Sequence, residues 1–311
     1  MNFLAKSILN KEQLDAKIAV GGEDTHFELQ LLHELDDHRA VWQDLDLNLL
    51  DGYTFETVHS PLYQYCPQLE DLLSDKSYIL FKTFELADII GCRQKCGIPV
   101  IIHSNMSFDI IERFPDIGMR LASQVGKALT MYPHIAIAIE NVVTFSRCES
   151  GSMNYTLSNN IMFDNVKMAE WLNAVLQTSR VGTTLDVCHA RMTEMFYMDA
   201  LNAAGLPQAD LTLDKYFSMN SGMCRVLHLA DMNGSGYGKG KHGMPFEETE
   251  RSLNALELAL RLYKKYGYHT PITLEVAEED YNNPTGYQKS LELAKDVWSK
   301  SCLGVVTMSL S

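Results

Sequence analysis

The chain has 311 residues, a length that suits one barrel-type domain. Its hydrophobic content of 46% and charged content of 21% are ordinary for a globular protein. No apolar run approaches the roughly 18 residues of a membrane span, and no secretory signal pattern begins the chain, so we expect a cytoplasmic protein. The formal net charge of −14 favours a small substrate over duplex DNA, without excluding nucleic acid.

Eight short apolar segments alternate with longer helical patterns. The predicted strands are residues 2–7, 26–31, 54–59, 98–103, 134–140, 181–187, 224–230 and 271–276. The predicted helices include residues 76–92, 107–131, 163–179, 247–266 and 284–300. Strands that alternate with helices pair in parallel, so the pattern predicts an α/β fold, a (β/α)₈ TIM barrel. We expect a single domain over residues 1–311, with a core to about residue 300 and an apolar tail over 301–311.

Two predicted connections are long for this architecture. Residues 143–162 are rich in Gly, Ser and Asn, and residues 190–222 contain a Met- and aromatic-rich run before a turn-like Gly-Leu-Pro. Both follow strands, so they are predicted to be binding loops on one face.

The seven cysteines are odd in number and dispersed, which favours reduced thiols. Cys92 and Cys96 lie one helical turn apart, but two thiols without nearby partners are too few for a structural zinc site.

Polar side chains recur at or near the ends of the predicted strands. In chain order they are His59, His103, Glu140, Asp186, His189, His228 and Glu275. Taken singly, such a histidine is more often a hydrogen-bonded structural residue, and such a carboxylate often caps the next helix. In a barrel, however, the strand ends converge on the active-site face, and buried carboxylates need a compensating cation. The set therefore predicts a metal site. Glu28 is a further carboxylate that the strand pattern allows to point into the barrel.

Short motifs at these positions carry a resemblance. They are VHSP at 58–61, IIHSN at 101–105, IEN at 139–141, LDVCHA at 185–190, HLADMNGSGYGKGKH at 228–242 and LEV at 274–276. In order and spacing, over about residues 26 to 276, they resemble the xylose isomerase-like barrels. That family includes sugar isomerases and epimerases, and also the apurinic-site nuclease endonuclease IV.

The resemblance implies metal-ligand sets. Positions matching Glu140, Asp186, His228 and Glu275 hold one ion in the family. In endonuclease IV a second ion uses positions matching His59, His103 and the shared Glu140. A third uses positions matching His189 and His242 with an aspartate, where this chain has Gly240. Asp231 matches an aspartate that follows the strand-end histidine, and we keep it with Lys241 as a candidate for a third metal or the substrate.

The first functional hypothesis is isomerisation or epimerisation of a sugar or sugar phosphate. Glu140 and Glu275 would move a proton next to a carbonyl, His189 would orient a hydroxyl, and Lys241 would offer a cation. One or two divalent ions are implied. Mn²⁺ or Mg²⁺ suits the oxygen ligands, and His228 also allows Zn²⁺, Co²⁺ or Fe²⁺.

Two alternatives stay open. The additional imidazoles fit a zinc-dependent phosphodiesterase that acts at abasic DNA sites, or another metal-dependent hydrolase. A barrel that binds a ligand without catalysis is the third hypothesis. The sequence does not decide whether the protein forms a homo-oligomer.

Overall fold

The computed structural model describes residues 1–32, 45–62, 66–142, 146–147, 153–154, 163–203, 210–233 and 241–303. Within them, eight parallel strands close into a barrel, each paired with the next along the chain and the last with the first. The strands are β1 (Phe3–Ser7), β2 (His26–Gln30), β3 (Phe55–His59), β4 (Ile98–His103), β5 (Ile135–Glu140), β6 (Val181–Asp186), β7 (Cys224–Leu229) and β8 (Ile272–Leu274). The predicted (β/α)₈ barrel is confirmed.

Helices surround this barrel. They are α1 (Lys11–Gly21), α2 (Ser77–Gln94), α3 (Phe108–Arg113), α4 (Pro115–Met131), α5 (Asp164–Leu176), α6 (Val187–Ala203), α7 (Leu213–Asn220), α8 (Glu250–Lys265) and α9 (Thr285–Leu303). Short 3₁₀ helices cover Leu47–Asp51 and Leu69–Leu73. Side-chain caps fix several starts: Asn10 accepts the backbone N–H of Gln13 before α1, and Thr249 accepts that of Ser252 before α8.

The strands are apolar because most are covered on both faces, by helices outside and by side chains inside. All six residues of β6 are buried. Inside the barrel, Ile101, Ala138 and Val226 form a small cluster of their own, apart from the large core between strands and helices. This cluster closes the interior below the carboxyl ends of the strands.

Two of the predicted elements need correction. The helix predicted over 107–131 is two helices, because Phe114 before Pro115 leaves the helical conformation (φ −130°, ψ 72°) and the proline begins α4 at its first position. The loop predicted over 190–222 contains most of α6 and all of α7. Its Met- and aromatic-rich run lacks glycine and proline until residue 205, so nothing local stops a helix that starts at the end of β6.

Two further predicted segments lie partly or wholly outside the described residues. In the loop predicted over 143–162, Ser146–Arg147 pairs antiparallel with Met153–Asn154. The apolar segment 304–310 lies outside the described residues, so the expected tail stays a prediction. None of the helices in the described ranges is long and apolar enough to cross a membrane.

Candidate metal centre

Three strands direct polar side chains to the same point. Side chains two residues apart share a face of a strand. His103, Glu140 and His228 each lie two residues after a member of the inner apolar cluster, so all three point into the barrel above it. Strand register sets the level of these residues, and of Asp186, along the barrel axis. His103 pairs with Glu140, and Asp186 pairs with His228, on adjacent strands.

The first cluster contains Glu140, Asp186, His228 and Glu275. One nitrogen or oxygen from each lies within 4.8 Å of the others. Nδ1 of His228 is 2.8 Å from Oε2 of Glu275 and 3.6 Å from Oε1 of Glu140. Four donor atoms so close together match the size of the coordination sphere of one divalent ion.

The second cluster shares Glu140 with the first. Nε2 of His59 and Nε2 of His103 each lie 3.3 Å from Oε2 of Glu140. One carboxylate oxygen therefore faces His228 and the other faces the two imidazoles. The structure thus brings together the six residues for which ligand roles are predicted, in the two predicted sets; the roles themselves stay predictions.

The donor atoms fit a divalent cation. Nε2 of His59 is buried and makes no hydrogen bond of good geometry within the described part of the chain, although an oxygen of Glu140 is near. Such an arrangement arises when two donor atoms point at a common centre rather than at each other. Imidazole nitrogens with carboxylate oxygens suit zinc, manganese, cobalt or iron.

Hydrogen bonds fix the orientation of the second pair of imidazoles. Nδ1 of His59 is 2.7 Å from the carbonyl oxygen of Ser60, so it carries the proton and leaves Nε2 as the electron-pair donor. Nδ1 of His103 is 3.1 Å from Sγ of Cys66. Both rings therefore present Nε2 to Glu140.

The carboxyl groups of the first cluster have shifted acidities. Burial disfavours the charged form of Glu140, but nearby imidazoles outweigh it and hold its pKa well below the usual range. Burial acts the same way on Glu275, where Lys6 and an imidazole again lower the pKa well below normal. Burial, reinforced by these two carboxylates, raises the pKa of Asp186. A bound cation would relieve this crowding of negative charge.

No protein-family model matches the sequence, and no curated protein matches it. Solved structures do match. L-ribulose 3-epimerase superimposes with a TM-score of 0.57 at 12% identity, covering 99% of this chain and 97% of that one. A xylose isomerase domain protein from Planctomyces limnophilus gives 0.56 at 13% identity, with 96% of each chain covered.

Endonuclease IV from Thermus thermophilus gives a TM-score of 0.55 at 14% identity, covering 95% of this chain and 100% of that one. The chain shares the barrel fold of these structures. At these identities the likeness establishes the fold alone. The barrel of this chain carries both clusters at the carboxyl ends of its strands.

The other predicted site residues lie at the rim of the clusters. Nδ1 of His189 is 3.0 Å from the carbonyl oxygen of Asn141 and 3.5 Å from Oε1 of Glu140. Its ring stacks on that of His242, with centroids 5.1 Å apart. The two imidazoles predicted for a third ion are therefore adjacent. Gly240 lies outside the described residues.

Asp231 and Lys241 differ in what surrounds them. Asp231 is buried and accepts from Nη2 of Arg251 at 2.9 Å, with Arg191 3.6 Å away, so its carboxylate is engaged in ion pairs. Lys241 begins a short strand, Lys241–Met244, that pairs with Asp231–Asn233, and its side chain lies outside the described part of the structure.

Sequence reasoning missed three residues of the site. Lys6, on β1, contacts Glu275; Cys66 contacts His103; and Asn141 bonds to the backbone of Asp186. The signal for Lys6 was present, because a charged residue shares a strand face with Leu4 in an otherwise apolar strand. Cys66 gave no comparable signal, since its partner lies 37 residues away.

A cavity of about 420 Å³ opens beside the first cluster, within the usual size of small-molecule sites. Asp186 and Glu275 line it at the end that adjoins the first cluster, together with Lys6. Ile8 and Val276 contribute apolar wall. The cavity places a ligand of sugar size in reach of the carboxylates.

Proposed function

We propose that the protein is a divalent-metal-dependent enzyme that isomerises or epimerises a small sugar. The single observation that carries this proposal is the cluster of Glu140, Asp186, His228 and Glu275 beside a ligand-sized cavity. One epimerase among the structural neighbours acts on L-ribulose by its name, and this supports a ketose as the substrate class.

Two carboxylates of the first cluster, Glu140 and Glu275, would carry the proton transfer. Glu140 and Glu275 have pKa values well below the usual range, so both are ionised near neutral pH; each is a weak base, which can remove the proton only when a bound cation makes the substrate C–H bond more acidic. One carboxylate would remove the proton from the carbon next to the substrate carbonyl. The C–H electron pair would move toward the carbonyl oxygen. The other carboxyl group, after taking a proton from solvent, would deliver it to the opposite face of the same carbon, and the first would release its proton to solvent, which completes the epimerisation.

A divalent ion, when bound, would polarise the substrate carbonyl and make the neighbouring C–H bond more acidic. Glu140, Asp186, His228 and Glu275 would hold it, and apolar residues such as Ile8 and Val276 would limit access of water to the carboxylates. His189, beside Glu140 and lying over His242, is placed to orient a substrate hydroxyl.

One observation favours a second candidate, a two-metal hydrolase of phosphate esters. His59 and His103 supply two imidazoles beside the shared Glu140, more than a single-ion isomerase requires. Two adjacent ions could stabilise the attacking and leaving oxygens of a phosphodiester. Endonuclease IV has the same fold.

One experiment separates the two candidates. Purified protein would be analysed for bound metals, then incubated in D₂O with L-ribulose and, separately, with an oligonucleotide that contains an abasic site. Deuterium entering the sugar next to its carbonyl, without strand cleavage, supports the isomerase. Two or more zinc ions with strand cleavage overturn it.

His103→Ala gives a matched variant for the same assays. An isomerase that uses only the first cluster should keep most of its exchange activity, because His103 is not in that cluster. A two-metal hydrolase should lose both one ion and its cleavage activity. If the protein binds no divalent metal, a barrel that binds a ligand without catalysis becomes the better description.

A further inference from the structure

We propose that Lys6 and Glu28 act as positioning residues that orient two of the proposed metal ligands, Glu275 and His228, by direct contact. This inference rests on the proposed metal-dependent function. With the hydroxyls of Thr57 and Thr273, these two residues form what we term the outer layer. None of its four members was among the predicted ligands.

Glu28 is the centre of the outer layer. It is fully buried, and its Oε2 lies 2.9 Å from Nε2 of His228. The hydroxyls of Thr57 and Thr273 donate to the same oxygen at 3.1 and 2.8 Å. Because a carboxylate only accepts, Nε2 of His228 must carry a proton and Nδ1 must face the metal cluster.

Lys6 joins the outer layer to Glu275. Its Nζ is 2.5 Å from Oε1 of Glu275 and 3.3 Å from Oε1 of Glu28. Since Oε1 of Glu275 is engaged by the ammonium, Oε2 is the oxygen left to face Nδ1 of His228, at 2.8 Å. Lys6 thereby selects which oxygen of Glu275 points into the cluster.

Strand register explains why these side chains meet. Lys6 pairs with Glu28 across β1 and β2, and Glu28 pairs with Thr57 across β2 and β3. Thr273 pairs with His228 across β8 and β7. Residues at one level of a barrel interior form a layer, so the outer layer follows from the closed sheet rather than from a loop.

The two possible effects of Lys6 on metal binding have opposite signs. Removing its charge would make the cluster more negative, and Coulomb attraction alone would then bind a cation more tightly. Removing its contact frees the carboxylate of Glu275 to rotate, and loss of such supporting contacts typically weakens metal binding about 10- to 100-fold. A positioning role for Lys6 therefore predicts weaker metal binding when Lys6 is replaced, whereas the loss of its charge alone predicts tighter binding.

The test is Mn²⁺ titration by calorimetry of the chelator-treated full-length protein, comparing wild type with Lys6→Met. The expected result is a Kd for Mn²⁺ that is about 10- to 100-fold higher in the variant. The visible absorption spectrum of the Co²⁺-loaded protein should also change, because it reports ligand geometry. Lys17→Met is the matched control, since Lys17 is also a largely buried lysine but pairs with Glu278 outside the cluster. It should leave both readouts unchanged.

Unchanged or tighter Mn²⁺ binding by Lys6→Met, or an unchanged Co²⁺ spectrum, would overturn the inference. If that variant does not fold, Thr273→Val decides, because it removes only one hydroxyl that holds Glu28. Weaker Mn²⁺ binding by Thr273→Val supports the outer layer, and wild-type binding contradicts it. If wild type itself binds no Mn²⁺, Zn²⁺ or Co²⁺, the proposed function fails instead, so the two failures are distinguishable.

Discussion

Asn141 and Asp186, at the ends of adjacent strands, hold each other through a reciprocal pair of hydrogen bonds. Nδ2 of Asn141 donates to the carbonyl oxygen of Asp186 at 2.9 Å, and the backbone N–H of Asp186 donates to Oδ1 of Asn141 at 2.7 Å. The side chain of Asp186 in turn accepts the backbone N–H of His189 at 2.6 Å. These bonds fix Asp186 beside Glu140, the residue that precedes Asn141.

Replacing Asn141 with alanine should weaken both the fold and metal binding. It leaves a buried N–H and a buried carbonyl of Asp186 without these partners, which costs about 1–3 kcal/mol per unsatisfied group. Urea unfolding and Mn²⁺ calorimetry would measure the two effects. A variant with reduced stability but wild-type Mn²⁺ affinity would show that this link does not position the ligand.

Glu275→Gln should reduce isomerase activity by about 10²- to 10⁴-fold, the usual contribution of a general acid or base. Glutamine keeps the size of the side chain but cannot accept the proton, and it weakens the contact with Lys6. Solvent-deuterium exchange into a ketose measures the loss. Glu279→Gln, an exposed glutamate in the same loop, is the control and should retain full activity. Activity that survives in Glu275→Gln would refute the proposed mechanism.

Asp231→Asn should destabilise the protein by about 1–3 kcal/mol without changing metal content. Asp231 is buried and ion-paired with Arg251 and Arg191. Within the described residues, it belongs to none of the side-chain clusters that could hold a metal ion. Chemical denaturation with elemental analysis would check this. Loss of one bound ion at unchanged stability would instead make Asp231 a ligand.

Lys17 should make stability rise with pH in the alkaline range. Burial outweighs the attraction of Glu278 and lowers the pKa of Lys17 from 10.5 to about 8. Below pH 8 both folded and unfolded chains carry the proton, and the full cost of the buried charge is present. Between about pH 8 and 10.5 the unfolded chain binds more protons, so the free energy of unfolding rises by about 3 kcal/mol in all.

Comparing wild type with Lys17→Met isolates this group from other titrating residues. Urea unfolding would be measured at pH 7.5 and pH 10. The free energy of unfolding of wild type, relative to that of Lys17→Met, should be higher at pH 10 than at pH 7.5. A gap that is independent of pH would mean that Lys17 keeps an ordinary pKa in the folded protein.

Gly182→Ala should destabilise the barrel by about 1–3 kcal/mol, as overpacking typically does. A Cβ there would lie 2.4 Å from the carbonyl oxygen of Met223 and 2.7 Å from Nε of Arg225. Backbone cannot yield as a flexible side chain would. Gly97→Ala is the matched control, because its Cβ would meet nothing within 4 Å. Equal thermal stability of the two variants would contradict the packing argument.

The barrel and most of the site could be predicted from the sequence. Apolar segments alternating with helical patterns predicted all eight strands, with boundaries close to those observed. His59, His103, Glu140 and Asp186 end their strands, and in a parallel barrel the carboxyl ends of all strands meet at one face. A local pattern thus predicted that distant residues converge. The xylose isomerase-like motifs added their division into two sets.

What the tertiary structure decided is which partner each side chain meets. Glu28 and His228 are 200 residues apart, and only the closed sheet with its register brings Oε2 and Nε2 within 2.9 Å. The same holds for Lys6 and Glu275, which adjoin because the first and last strands pair. The sequence by itself determined the repeating strands and the polar residues at their ends, since hydrophobic periodicity is local. The hydrogen-bonded layer beside the candidate metal centre required the structure, because closure and register are properties of the whole chain.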